Sequence, residues 1–322
     1  MLMNRGRHLY LKVIAKNLLL FIIAVLILDY LAVLGYIHAH AYNAEGKVES
    51  FDKVKLMKEH LRTVYYYFTH LTEKNRSGRA LYSYILKSLI LVLFAEVFIL
   101  ILGLYLGLRA GYNGGWTDRM LSVLAPVFSA IPPWFIAVVL LYTLYWKMSM
   151  LPVDFEGYLR RAIMEGNSTA LAYVLGLILP ALTLVLAMVW EYAFNVRNLI
   201  KFESNESHVL YDRARGLPEG RIKRKLLRIA LPAFMTFTTY NFLEILMSVF
   251  VVEVIFNVHG IGWILAYSFR LGHSVQGVSY YYNSYGVFFA AFVMLLFYFV
   301  NAVVMESIYL HLDPRIGREG RA

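Results

Sequence analysis

No cysteine occurs in the 322 residues, which excludes disulfides, thiolate metal sites and a cysteine nucleophile. A Walker phosphate loop, an H-E-x-x-H pair and a G-x-S-x-G elbow are equally absent, as are internal repeats and low-complexity tracts. Charge is scarce: Asp, Glu, Lys and Arg make up 16% of the chain, against 60% apolar residues and a mean hydropathy of +0.58. A soluble domain does not tolerate so many long apolar runs, so the chain reads as an integral membrane protein. The net charge of +10 would suggest nucleic acid in a soluble protein. Here the bases sit mostly between apolar runs, where they set topology, and no nucleic-acid partner is expected.

Six apolar segments are long enough for a hydrocarbon core of roughly 30 Å, which takes about 20 residues per helix. They run from Ala15 to Tyr36, Tyr82 to Leu108, Met120 to Trp146, Ala170 to Val196, Ala233 to Phe256 and Tyr285 to Leu310. None reads as split into re-entrant halves, and the predicted class is an all-α polytopic membrane protein with six transmembrane helices. Ala39-His-Ala41 has the look of a signal cleavage site. The apolar stretch before it, Asn17 to Leu34, is longer than the ~7–15 residues of a signal core, so it is read as a retained span. With both termini inside, the inner segments hold more than half of the 31 Lys/Arg, the expected bias for a multi-pass protein of the plasma membrane. The outer stretch 37–80 has helical spacing from Val48 to Leu71, with Phe51, Val54, Leu56, Met57 and Leu61 on one face, and is read as a packing subdomain.

The most polar part of the chain is Arg197 to Pro232, with nine Lys/Arg against four acids. Within it, Glu206 to Arg215 reads as a short helix with Ser204 or Asn205 as N-cap. Gly216 stops that helix, and Leu217-Pro218-Glu219 starts the next. A helix, a sharp bend and a helix on a membrane protein suit a soluble partner; a basic loop on anionic lipid explains the charge equally well. On a helix Asp212 faces Arg215 and His208 at i+3 and i−4, so it is expected to orient Arg215. His208 itself reads as a solvated contact.

Leu210-Tyr-Asp-Arg-Ala-Arg-Gly216-Leu-Pro, ending at Ile229-Ala-Leu-Pro232, resembles the cytoplasmic "EAA" loop of ABC importer permeases of the dipeptide/oligopeptide/nickel family. Arg213, Ala214, Gly216 and Leu217 fit that family's run, Arg215 replaces a Lys, and Tyr211 and Asp212 depart from a small pair. Further likeness lies in Leu104-Tyr-Leu-Gly-Leu-Arg-Ala-Gly111 with Asp118, in Ser129-Ala-Ile-Pro132-Pro-Trp-Phe with Leu151-Pro152, and in Leu179-Pro180-Ala-Leu-Thr-Leu184 with Tyr192 and Arg197. Phe194 stands where an Arg is common. Most specific are Val251-Val-Glu253-Val-Ile-Phe256, followed by Gly260-Ile-Gly262, and Leu312-Asp-Pro-Arg-Ile316. The first 80 residues depart from the family, lacking its Pro-Gly-Asp-Pro run.

The resemblance implies a type I ABC importer permease fold and a non-catalytic subunit forming half of the pathway for peptide-like substrates, oligosaccharides or nickel. It implies a second homologous permease, one or two cytoplasmic ATP-binding subunits that hold ATP and Mg, and an extracytoplasmic substrate-binding protein, with no cofactor in this chain. Tyr211, Asp212, Arg213, Ala214, Arg215, Gly216 and Leu217 would couple to the ATPase. The divisions expected are 1–36 (cytoplasmic N-terminus and first span), 37–80 (outer subdomain), 81–311 (five-helix core carrying coupling loop 197–232) and 312–322 (cytoplasmic tail). The rival class is an ion-coupled secondary transporter or channel, which broken helices at mid-membrane would favour.

A charge within a span costs at least ~2.5–3.5 kcal/mol at mid-membrane, so each marks a water-lined path or a protein contact. The charges are Lys87, Glu96, Glu191, Glu244, Glu253 and Glu306. Glu191 and Glu306 lie near a boundary and read as structural; Lys87 and Glu96 each need a partner on another element or water. Glu244 and Glu253, nine apart, point to nearly opposite sides of one helix. Glu253 is placed to hydrogen-bond the turn at His259-Gly260 as an outer gate or to meet a substrate amine; Gly260, Gly262 and Glu244 complete the gate or pathway set. Tyr280-Tyr-Tyr, Tyr285, Trp116, Trp134, Trp146 and Trp263 read as an interfacial belt.

Three N-x-[ST] sequons, at Asn75, Asn167 and Asn205, test the topology. In a glycosylating host, Asn75 and Asn167 are expected to be accessible and Asn205 not. Sugar on Asn205 contradicts the six-span order.

Overall fold

The chain's long helices follow its apolar runs but extend past them at both ends. The structure, a computed structural model, describes residues 2–40, 50–73, 80–148, 150–274 and 277–312, with the backbone alone for 2–8, 270–274, 277–281 and 312. The tail beyond Leu312 and the sequon at Asn75 lie outside the described residues. In order the elements are α1 (Leu2–Ala39), α2 (Lys53–Thr69), α3 (Leu81–Asn113), α4 (Gly115–Ala130), α5 (Pro133–Leu140, continued as a π-helical stretch Leu141–Lys147) and α6 (Phe155–Met164). Then come α7 (Thr169–Ser204), α8 (Ser207–Ala214), α9 (Glu219–Ile255), α10 (Ile261–Ser268), strands β1 (Phe269–Ser274) and β2 (Gly277–Tyr282), and α11 (Ser284–Leu312).

The third apolar segment is not one straight helix, contrary to the sequence expectation. α4 and the α5 helix that follows meet at 100°. Ile131 and Pro132 between them are extended, at φ −95°, ψ 118° and φ −61°, ψ 143°. Two consecutive prolines remove two N–H donors, and a residue preceding proline is pushed out of the α region. The bent pair still crosses the bundle. At its start Asp118 pairs with Arg197 on α7; just beyond its end, the Phe155 N–H donates to the Phe256 carbonyl at the opposite end (3.0 Å). Five long helices and this bent pair make six crossings.

α7 is the centre of the bundle. In its most apolar stretch 67% of residues are buried, against 22% in α1, which lies at the periphery. The most extensive helix pair is α3 with α7, and glycines spaced four apart on α3 make it possible. A Cβ on Gly103 would come within 2.3 Å of the Tyr192 ring, one on Gly107 within 2.5 Å of Val196, and one on Gly111 within 2.6 Å of the Arg197 carbonyl. Small residues let membrane helices approach closely where water provides no hydrophobic drive between them. At the α8 end, Glu306 of α11 accepts from Lys16 (2.6 Å) and Asn17 (3.0 Å) of α1, a structural role in keeping with the sequence reading.

α2 forms as its spacing predicts, with Asp52 capping the Val54 and Lys55 N–H groups (3.0 and 3.2 Å). Its buried face differs from the predicted one. His60 and Val64 are buried, with Leu56, Met57, Tyr67 and Phe68 half-buried beside them, whereas Val54 and Leu61 are exposed. A buried polar relay draws this face inward. His60 Nδ1 lies 2.7 Å from Asp29 Oδ1 of α1, and its Nε2 lies 2.9 Å from Ser284 Oγ of α11. A short hairpin precedes α11; of the tyrosines read as a belt, the side chains of Tyr280 and Tyr281 lie outside the described residues. β1 and β2 pair antiparallel from Phe269↔Tyr282 to Ser274↔Gly277, and the Tyr282 hydroxyl donates to the Ala32 carbonyl of α1 (3.1 Å).

Gly107→Val is expected to force α3 off α7 and leave little monodisperse protein by size exclusion in detergent. Gly220→Ala, where an added Cβ meets nothing within 4 Å, is expected to be neutral or stabilising by about 0.5–1 kcal/mol. Equal behaviour of the two variants would contradict the close-packing account.

Candidate functional site

Two polar constructions sit at opposite ends of the bundle, and α9 belongs to both. At the first, α8 starts from Glu206 rather than from Ser204 or Asn205, one turn after α7 ends. The chain leaves α8 through a Schellman cap: the Leu217 N–H donates to the Asp212 carbonyl (3.1 Å) and the Gly216 N–H to the Arg213 carbonyl (2.9 Å). This geometry requires the positive φ that Gly216 adopts, +71°. Pro218 follows as the N-cap of α9.

Val209 and Asp212 are the inward residues of α8, at 1% and 6% exposure. Asp212 does not orient Arg215. Its Oδ2 accepts from Lys225 Nζ of α9 (2.5 Å), because the helix turns that side chain toward its neighbour. Arg215 instead lies over the Tyr211 ring (5.5 Å). His208 is partly buried rather than solvated. Tyr211, Arg213, Ala214, Arg215 and Gly216 all face outward, with Leu217 half-buried behind them. Tyr112 at the end of α3 supports the group: its hydroxyl donates to Glu219, and Arg213 and Lys223 lie over its ring at 5.5 and 5.0 Å. The product is a rigid knuckle presenting two arginines beside exposed Leu210 and Tyr211.

At the opposite end α9 finishes in Glu253, which is completely buried. Its Oε1 accepts from Ser88 Oγ of α3 (2.5 Å) and its Oε2 from the Gly262 N–H (2.7 Å). Ser88 Oγ also accepts from the Ile261 N–H (2.7 Å). The turn is thus held as expected, but through Gly262 and Ile261 rather than through His259 or Gly260. Gly260 is needed for space. A Cβ there would lie 2.3 Å from Glu253 Oε1 and 2.4 Å from Ser88 Oγ, and one on Gly262 would lie 2.6 Å from the Phe250 backbone.

Lys87, one residue before Ser88, finds its partner on α6, where it forms a buried ion pair with Glu156. His259 Nδ1 approaches the same carboxylate (3.8 Å). Asp154 caps α6 and accepts from Asn257 Nδ2 (2.7 Å). α6 is therefore bolted to α3 by an ion pair, and to the turn by a side-chain bond and the Phe155–Phe256 backbone bond. Glu244 is exposed on the opposite side of α9 from Glu253, as the nine-residue spacing requires. Glu96 is buried and faces Asn241, and Glu191 accepts from Ser129 beside the helix break (2.9 Å).

Sequence reasoning passes over Glu156 and Asp29. Asp29 leaves a signal, a lone acid in an apolar run. Glu156 leaves none, because an acid in a polar loop looks solvated until α6 folds over Lys87. Trp116, Trp134 and Trp146 are exposed as a belt expects, but Trp263 is stacked on Tyr267 (3.8 Å) with His259 tilted against its ring (4.3 Å).

With this geometry in view, the comparisons decide the family. Residues 99–318 match the model for the binding-protein-dependent transport system inner membrane component. The chain belongs to that family. It is 29% identical over 241 residues to the probable D,D-dipeptide transport system permease protein DdpB of Escherichia coli, covering 69% of this chain and 67% of that protein. It is 27% identical over 236 residues to the metal-staphylopine import system permease protein CntB of Staphylococcus aureus, covering 73% and 68%. It is 28% identical over 233 residues to the oligopeptide transport system permease protein OppB of Mycobacterium tuberculosis, covering 68% of each. The chain is accordingly an ABC importer permease, an integral membrane transport component rather than an enzyme. The break at Pro132-Pro133 does not make it a secondary transporter.

Lys87→Met is expected to leave Glu156 buried without its ion-pair partner and to cost ~3–5 kcal/mol, whereas Lys87→Met with Glu156→Leu recovers most of that loss. Denaturation of the purified chain in mixed micelles measures both. A double variant as unstable as the single one would show that the pair does not hold α6.

Proposed function

We propose that the chain forms one half of the translocation pathway of an ATP-driven importer, with the α8 end in the cytoplasm and the α6 end outside. A second homologous permease would complete the pathway, and one or two ATP-binding subunits holding ATP and Mg would grip the knuckle. An extracytoplasmic binding protein would deliver substrate, leaving this chain without a cofactor of its own. The charge bias of the sequence supports the orientation, since the α8 end carries the basic island. Peptide-like substrates are the reading favoured by the named relatives, with metal complexes and oligosaccharides next. The division into residues 1–36, 37–80, 81–311 and 312–322 stands as part of the same proposal.

The observation that carries the docking role is the division of labour on α8. Asp212 and Val209 are spent on holding the helix, while Tyr211, Arg213 and Arg215 are left outward. Held rigidly, such side chains lose little entropy when a partner closes over them, and a charge desolvated there weighs more than one on an open loop. α9 then runs as one helix of 37 residues that ends at Ile255, just past Glu253, so displacement of the knuckle is felt at the turn that α6 covers. Glu253, Gly260 and Gly262 are the proposed outer gate, and Glu244, on the exposed side of α9, is the proposed pathway residue.

Three variants separate the roles. Arg215→Ala should weaken association with the ATPase by about 2–5 kcal/mol, with the permease still folded. Lys225→Ala touches no partner but leaves Asp212 buried without its cation, so it should loosen the knuckle and lower coupling by a smaller factor. Gly216→Val puts a β-branched residue at φ +71°, a genuine outlier, and should leave ATP hydrolysis uncoupled from uptake. The measurement is affinity and ATP-driven uptake in reconstituted vesicles at low and high salt. Equal, salt-erased effects of Arg215→Ala and Lys225→Ala would reduce the knuckle to a diffuse basic patch.

A further inference from the structure

A second cavity-forming region lies beside the gate and is not used by it. It is an open cleft bordered by α2, the start of α3, α10 and the start of α11, and measures about 720 Å³, within the ~300–1,000 Å³ of small-molecule sites. Its walls are aromatic: Tyr66 and Tyr67 from α2, Tyr84 from α3, Trp263 and Tyr267 from α10, and Phe289 from α11. Glu73 and His70 close one side. Among the described residues that line it, Glu73 supplies a carboxylate.

From this lining we propose that the cavity binds a protonated organic amine carried on an apolar or aromatic body. The faces of aromatic rings are negative and attract cations, more so where water is displaced. A carboxylate at the edge supplies the counter-charge. The rings are fixed in place. Trp263 and Tyr267 stack at 3.8 Å, Tyr84 lies 6.2 Å from Trp263, and Tyr67 meets Phe289 edge-on at 5.1 Å.

The α2 wall is equally built. Asp29, His60 and Ser284, all buried, join α2 to α1 and α11, and the Tyr285 hydroxyl donates to Glu59 (3.1 Å). A wall held by buried hydrogen bonds from two spans is preorganised, which lowers the entropic cost of binding. Trp263 also lies against His259 of the gate turn, tilted by 40° at 4.3 Å, so an occupant touches the ring that backs the gate. This inference rests on the permease reading only for what the amine belongs to. A peptide-like substrate ends in such a group, and a choline lipid headgroup carries a quaternary ammonium of the same charge, which aromatic faces attract in the same way.

The test uses the full chain in phosphatidylglycerol nanodiscs, without ATPase subunits, and two probes of one shape: phenylalaninamide, which is cationic, and its N-acetyl derivative, which is not. Titration calorimetry should give saturable binding of the amine, with the acetylated probe weaker by about tenfold or more. Glu73→Gln and Tyr66→Leu, both at exposed positions, should each weaken the amine by about tenfold. If either variant aggregates, the two-probe comparison on the unaltered chain decides alone. Displacement of the amine by added phosphatidylcholine assigns the site to lipid headgroups; no displacement assigns it to soluble amines. Equal binding of the two probes, or an unchanged affinity in both variants, overturns the proposal. Because no ATPase is present, a chain that binds the amine but never couples to ATP would sink the importer reading and leave this site standing.

Discussion

The carboxylate of Glu253 is sealed from solvent, and its surroundings are built to meet that condition. A buried carboxylate is tolerated only when its oxygens are hydrogen-bonded or neutralised. Here Ser88 has to come from α3, the chain has to turn back so that the Gly262 N–H points at the second oxygen, and residues 260 and 262 have to lack a side chain. Once the turn is fixed, α6 can lie across it, with Asp154, Phe155 and Glu156 each reaching a partner. A polar need of one atom group thus organises three helices and a turn.

α9 carries that arrangement through the bundle to the knuckle. At 37 residues it is about 55 Å long, well beyond a hydrocarbon core. Its first turns lie within the basic island, where Lys225 meets Asp212, and its last turn holds Glu253. Because the close contacts of α3 against α7 leave no room for sliding, motion of the knuckle has few outlets other than α9. That is the physical basis of the proposed link between an ATPase at one end and a gate at the other.

Apolar runs and turn chemistry were readable directly. The number of crossings, the Gly216 bend, the opposition of Glu244 and Glu253 and the helix in residues 53–69 all follow from periodicity, span length and capping rules. What was not legible depended on contacts distant in sequence. By spacing alone Asp212 faces Arg215 and His208, and only the packing of α8 on α9 brings Lys225 to it. Lys87 and Glu156 are 69 residues apart, and nothing local marks Glu156 as buried. The helix break is the exception. Pro132-Pro133 is a local signal, and it fails as a reading only when span length is allowed to outweigh the missing donors.

The absence of native cysteine makes the central claim, that the knuckle controls the gate, open to direct measurement. Spin labels at Met164 on α6 and Phe269 after α10, both exposed (85% and 54%), span the gate turn without touching Glu253. In the complete transporter, double electron–electron resonance should show the distance between them changing when ATP is added, and Gly216→Val should abolish the change while leaving the ATP-free distance as it was. An ATP-dependent shift that is the same with and without the Gly216 bend would contradict the account.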